Sequence, residues 1–363
     1  MRAIESTLGW ARTYERHLSA LAMAGGFAFD SYAFGRIDRP MTQAVFVVYL
    51  VVAGASIAIL HRLESRPQKP EPRTHTLLVT ATQFALGALL SGFCVFYIRS
   101  ASIGASWPFL LFMAAIFIGN EYFRAYASRL VFAALLFFFS LYSCAILLVP
   151  VVLERIGPIS FLISGAVAVV VFFLYMRLVA FIGHDRYREA RKQIAIGWLA
   201  ITVLLNAFYF TRIFPPLPLV LSDAGVYHSV KKVGLDYQAT AEEDEPPRWR
   251  ALFGTFPVLH VMPGEKLYLY SAVFAPRNLR TRIVHEWQWR NPAGDWTTQQ
   301  RITIPLIGGR EDGFRFSTNR TAPQAGEWRV NIATLDGRAI GRVRFSVQPA
   351  LQSPPKLMTK LLN

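Results

Sequence analysis

Cysteine is almost absent from this chain: two in 363 residues, Cys94 and Cys144. Both stand inside apolar runs, so they are expected as core residues and no disulfide framework is available. The last third holds none and can fold in either redox compartment. Charge is scarce as well. Only 17% of the residues are charged against 53% hydrophobic, a composition that excludes an ordinary soluble globular protein. The net charge of +15 is spread along the chain, with 19 Lys/Arg and 11 Asp/Glu before His228 and 19 and 12 from there on. No basic helix with interleaved aromatics is present, which argues against a nucleic-acid partner. No Ser/His/Asp or Cys/His nucleophile signature occurs, and no second and third ligand stands near His285 at metal-binding spacing. No catalytic residue, metal or cofactor is therefore predicted.

Long apolar runs are what the chain has instead. A helix needs about 20 apolar residues to cross a bilayer core. Runs of that kind are predicted at about 18–34, 42–60, 77–98, 105–123, 129–150, 158–181 and 194–214. The expected architecture is thus a seven-helix transmembrane domain over 18–214, preceded by a polar cytoplasmic N-terminus at 1–17. No small-residue cleavage site follows the first run, so it is read as a retained helix. Gly87 and Ser91 form a small-x-x-x-small spacing that suits close helix packing.

Lys and Arg alternate in number between successive connections. One side collects Arg2, Arg12 and Arg16, the four of 61–76, Arg124 and Arg129, and the four of 182–193, thirteen in all; the other has Arg36, Arg39, Arg99 and Arg155. Positive residues accumulate on the cytoplasmic side. The N-terminus is therefore expected inside, and an odd number of spans puts the C-terminal domain outside, in the periplasm of a Gram-negative cell.

The last run breaks at Pro215, Pro216 and Pro218, because proline cannot continue a helix. Leu217, Leu219, Val220 and Leu221 beyond the break, running on to His228, are read as an interfacial segment pressed on the membrane. Residues 215–249 then form that segment plus an acidic linker. From there period-two alternation takes over, at about 256–262, 266–274, 281–290, 296–305, 312–317, 326–334 and 339–347. Asp336-Gly337 is a tight-hairpin signal. Seven short strands predict an all-β, immunoglobulin-like sandwich over 250–348, with 349–363 as a flexible tail.

Ionisable or polar groups inside membrane runs are costly and so are candidate sites. Asp30, Gln83, Asn120, Glu121, Arg124, Asn206 and Tyr209 qualify. Arg124 stands one helical turn from both Asn120 and Glu121, which permits a local ion pair. Asp30, nearer the other membrane face, is expected to meet Tyr97, Tyr209 or Arg212. In the β region, His285, Trp287 and Trp289 share one strand face while Glu286, Gln288 and Arg290 share the other. Trp328 begins a similar stripe. One aromatic set is expected to fill the core; an exposed set would be a platform for sugar or peptide.

The segments Val284-His-Glu-Trp-Gln-Trp, Phe314-Arg-Phe-Ser-Thr-Asn-Arg, Gly326-Glu-Trp-Arg-Val and Leu335-Asp-Gly-Arg resemble a bacterial domain of unknown function found at the C-terminus of proteobacterial envelope proteins. Phe29-Asp30, Gln83-Phe84, Asn120-Glu121, and Phe208 through Leu219 with Tyr227-His228, are similar to the membrane region often joined to it. The resemblance implies an inner-membrane protein and carries no catalytic residues. The expected function is a non-enzymatic envelope protein, lodged in membrane lipid, whose periplasmic β-sandwich binds a protein or glycan. The alternative is a transporter or lipid-handling protein with a polar site in the helix bundle.

Overall fold

The computed structural model describes residues 27, 30, 36–67, 71–122, 130–234, 236–243, 246, 254–309, 313–321, 323–350 and 356–362, without the side chains of 103–104 and 120–122. Among the described residues from 36 on, six helices precede the strands: α1 Pro40–Glu64, α2 Pro72–Ser100, α3 Ile103–Tyr122, α4 Leu130–Val152, α5 Pro158–Ile182 and α6 His184–Phe210. Proline opens α1, α2 and α5, a position where its missing N–H costs nothing. Among the described residues, α1, α2, α4, α5 and α6 are long and apolar enough to cross a membrane, and α3 carries the shorter apolar stretch Ala105–Gly119. The run expected at 18–34 lies outside the described residues except for Phe27 and Asp30, both helical.

The chain divides into two compact units. The first holds most of the helical residues and is packed by aromatics and by small residues. Phe46 stacks on Phe93 at 5.3 Å, and Phe138 meets Phe172 at 4.8 Å and Trp198 at 6.1 Å. Gly54 admits the Phe137 ring and takes a hydrogen bond from Tyr175 Oη (2.8 Å). Meanwhile α5 leaves Leu162, Val170, Leu174 and Phe181 exposed. An apolar helix with an apolar outward face belongs in hydrocarbon. Helix α6 starts ten residues before the expected 194. The turns His184–Gln193 are polar, so an apolar window misses them although nothing in them breaks a helix. They are anchored at their start: His61 Nε2 lies 3.0 Å from Gly183 O, and Glu64 pairs with His75 (2.9 Å) and with Arg186.

The second unit comprises Arg99–Phe109, Val149–Ile163 and everything from Asn206 on. Its strands are β1 Val220–Tyr227, β2 Ser229–Val233, β3 Asp236–Glu242, β4 Val258–Val261, β5 Lys266–Phe274, β6 Arg280–Arg290, β7 Trp296–Ile307, β8 Phe314–Thr321, β9 Gly326–Thr334, β10 Ala339–Pro349 and β11 Leu357–Leu362. Three sheets result, ordered β1-β5-β8, β4-β10-β9-β6-β7 and β11-β3-β2. The first two enclose one core containing Leu219, Leu267, Leu269, Trp287, Trp328 and Phe345. The third packs its Ala239, Ala241 and Leu362 against Tyr227, Tyr270 and Ala272. Strand β5 is therefore sandwiched: Leu267, Leu269 and Val273 face one core, Tyr270 and Ala272 the other.

The seven strands expected between 256 and 347 are present. Two readings are corrected. Residues 215–249 are not an interfacial segment and linker: Pro215, Pro216 and Pro218 are buried, Leu219 is a core residue, and 220–242 supplies three strands. The apolar side chains after the proline break are satisfied by the β core rather than by membrane. The tail is not wholly flexible either, since Leu357–Leu362 pairs antiparallel with β3. The β domain consequently needs more chain than 250–348, because β1 closes one edge of the central sheet through β5.

Candidate functional site

Asp30 approaches the Ser91 hydroxyl of α2. Gln83 and Asn206 are half-buried on α2 and α6. Asn120 and Glu121 end α3, and Arg124 lies outside the described residues. Tyr209 belongs to the second unit. Its ring stacks on Phe161 at 3.8 Å and carries the Arg338 guanidinium on a face at 3.5 Å. Arg338 sits in the β9–β10 turn, where its Nε donates to Asp336 Oδ2 (2.7 Å). Gly337 allows that turn with φ of 82°, a left-handed conformation that favours glycine. A side chain there would press on Arg212 Nη1 at 3.2 Å.

The aromatic set resolves to core. Trp287 and Trp328 are fully buried, Trp328 Nε1 donating to Gln324 O at 2.7 Å. Trp289 is half-buried and donates to Ala325 O. His285, on the same strand face as Trp287, bridges the two sheets. Its ring nitrogens lie 3.0 Å from Ser271 Oγ on β5 and 2.9 Å from Thr318 Oγ1 on β8. Burial pushes its pKa down to about 4, so it works as a neutral crosslink between the sheets.

His228, expected only as part of the chain exit, stands at the centre of a charged chain. Its Nδ1 lies 2.8 Å from Glu265 Oε1 and its Nε2 3.0 Å from Glu242 Oε1, so the ring bridges two carboxyl groups. Glu242 also accepts from His260 through Nδ1 at 2.9 Å and through the backbone N–H. Burial pushes the Glu242 carboxyl up, but the donors of His260 and His228 outweigh it and hold it below the usual carboxylate range. The cluster joins the β1–β2 junction, the end of β3, β4 and the start of β5, which fastens the small sheet to the sandwich. Among the described residues no group of three or more His, Cys, Asp or Glu is arranged to hold a metal.

The outer face of the five-stranded sheet is different in kind. Register places Arg344 opposite Arg329 and Arg342 opposite Asn331. It then sets Arg329 opposite Gln288 and Asn331 opposite Glu286 on β6. Arg329 Nε donates to Gln288 Oε1 (2.6 Å), Arg342 Nε to Asn331 Oδ1 (2.6 Å), and Asn331 Nδ2 to Gln288 Oε1 (3.1 Å). Thr298 links these two β6 side chains by donating to Glu286 (3.1 Å) and accepting from Gln288 (3.1 Å). Trp296 lies 4.3 Å below the Arg329 guanidinium. Alternation shows only the Glu286 and Gln288 part of this face. The arginines join it through β9 and β10, whose register the sequence does not display.

Within this region residues 280–347 match a family model described as a protein of unknown function (DUF2914); the chain carries that domain. A comparison with the curated proteins yields no match. Among solved structures, an immunoglobulin-like protein from Pseudomonas aeruginosa is 12% identical, with a TM-score of 0.22, over 36% of this chain and 96% of that one. A beta-glucosidase from Listeria innocua in complex with gluconolactone is 10% identical, TM-score 0.19, over 37% of this chain and 18% of that one. The Pseudomonas fluorescens alkylpurine DNA glycosylase AlkC bound to DNA is 11% identical, TM-score 0.24, over 84% and 99%.

Proposed function

We propose that this is a multi-pass inner-membrane protein of seven spans, with its N-terminus inside and a periplasmic, immunoglobulin-like β domain that binds a protein or glycan of the envelope. The immunoglobulin-like reading draws on topology. One sheet has the order β1-β5-β8, the other β4-β10-β9-β6-β7, β4 pairs parallel with β10, and a buried Trp287 sits mid-sheet. Five apolar helices and the thirteen-to-four charge asymmetry support the membrane placement.

The observation that carries the binding reading is the outer face of β10-β9-β6-β7. Surface side chains usually remain solvated and mobile, since fixing a long one costs up to about 2 kcal/mol. Here Arg329, Arg342, Gln288, Asn331, Glu286 and Thr298 are instead locked in one hydrogen-bonded array. Prearranged donors are what a binding surface requires. A photoreactive residue in place of exposed Thr298, expressed in cells, should capture a discrete envelope component. The same residue in place of exposed Lys231 should not. Capture equal at both positions, or at neither, would contradict the reading.

A further inference from the structure

We infer that the outer face of the five-stranded sheet is a site for an acidic glycan, with Arg329, Arg342 and Arg344 receiving its carboxylate or phosphate groups. This rests on the binding role proposed above and names the ligand class. Arg329 and Arg344 are direct cross-strand neighbours, and like charges in that position destabilise a sheet. Among the described residues neither they nor Arg342 has a carboxylate within ion-pair distance; Glu286 is engaged by Thr298 and Asn331 instead. Arg329 is depressed to about 10, by burial first and then by Arg342 and Arg344, with Glu286 opposing in part. An anion laid across the three would relieve that repulsion, and the guanidinium fork matches carboxylate and phosphate oxygens.

The remaining groups favour a polyhydroxylated ligand over a peptide. Strands β10, β9 and β6, which carry the arginines and the amides, each have neighbours on both sides, so strand addition could reach only the edge strands β4 and β7 and not the arginines themselves. Among the described residues the face presents amides, a hydroxyl and guanidinium groups, with Trp296 under Arg329 at 4.3 Å and Phe256 under Arg344 at 5.5 Å as flat aromatic surfaces on which a sugar ring can also rest. Hydroxyls of a sugar chain can donate to Thr298 Oγ1 and Asn331 Oδ1, each of which accepts one hydrogen bond and keeps a lone pair, while its acidic groups sit on the arginines.

Full-length protein in detergent should be titrated with fluorescent oligogalacturonate, with glycerol-phosphate oligomers, and with an uncharged galacto-oligosaccharide and an oligoglutamate of equal length. One or both of the first two should bind, more weakly as salt rises; which one binds distinguishes carboxylate from phosphate. The Arg342→Gln/Arg344→Gln pair, both exposed, should weaken binding at least about tenfold, as loss of charge-assisted hydrogen bonds does. Lys231→Gln/Lys232→Gln, with two charges removed elsewhere on the domain, should not. Binding of neither acidic probe, equal binding of the neutral sugar, oligoglutamate binding as tightly, or indifference to the arginine pair would each overturn the inference. Failure here with discrete capture at position 298 would remove the acidic-glycan assignment alone; failure of both would remove the binding role.

Discussion

The guanidinium of Arg338 lies 3.5 Å from the ring centroid of Tyr209. One residue is in the β9–β10 turn and the other in the last turn of α6, so the hairpin tip rests on the segment that feeds the β domain. Arg338 is buried and held flat by Asp336, with 6% of its surface exposed. Phe214 lies 6.3 Å from the same tyrosine, and 4.5 Å from Phe109. Arg338→Met keeps the aliphatic stem and removes the charge. It should destabilise the domain by about 2 kcal/mol, the range of a desolvated cation–π contact. Arg338→Lys should recover only part of this, because an ammonium lacks the planar face. Thermal melting of the three proteins decides; Met and wild type melting together would reject the contact as a stabilising one.

His285 gives the domain a pH dependence of definite sign. Its folded pKa of about 4 lies below the ordinary value of 6.5, so between them the unfolded chain binds a proton that the folded one excludes. Stability should fall as pH drops through that window, by about 1.4 kcal/mol per pH unit from this group. His285→Gln should flatten the slope between pH 6.5 and 4 in denaturant titrations. An unchanged slope would mean that the ring is protonated in the fold.

The chain Glu265–His228–Glu242–His260 predicts strong coupling. Removing one member takes a hydrogen-bond partner from a buried neighbour, so His228→Gln and Glu242→Gln should each cost about 1–3 kcal/mol. Removing both should cost about 1–3 kcal/mol less than the sum. Additive single effects in a double-mutant cycle would show that the two side chains act separately.

A fragment boundary follows from β1. Residues 250–348 lack the strand that pairs Val220–Tyr227 with Tyr268–Phe274, along with the small sheet over Tyr270. That fragment should give weak β-type circular dichroism without a cooperative melt, whereas 214–362 should melt cooperatively. Cooperative melting of the shorter piece would show β1 to be dispensable.

The parts legible in the sequence are those with a strong period. Strand β9 runs Trp328, Val330, Ile332 inward with Arg329 and Asn331 outward, and its bounds are readable residue for residue. Strand β5, Lys-Leu-Tyr-Leu-Tyr-Ser-Ala-Val-Phe, is covered on both sides; its second cover comes from β3 and β11, segments too short to announce themselves. Val220 and Leu221 look like membrane-surface residues because an apolar side chain after a proline break does not say which apolar surface will receive it. The His228 cluster has no spacing signature at all: His228 and Glu265 are 37 positions apart, and only the turn at Met262–Glu265 brings them together. The arginine face is hidden for a related reason, since each strand contributes two polar residues and the cluster exists only in their register.

The proposed topology puts the β domain on the membrane face opposite the arginine-rich connections. Cysteine labelling tests it directly, because Cys94 and Cys144 are buried and give little background. A cysteine in place of Lys231, exposed on β2, should react with a membrane-impermeant maleimide in cells whose outer membrane alone is permeabilised. One in place of Arg66, exposed after α1, should react only after lysis. The reverse pattern, or labelling of both in intact inner membranes, would contradict the account.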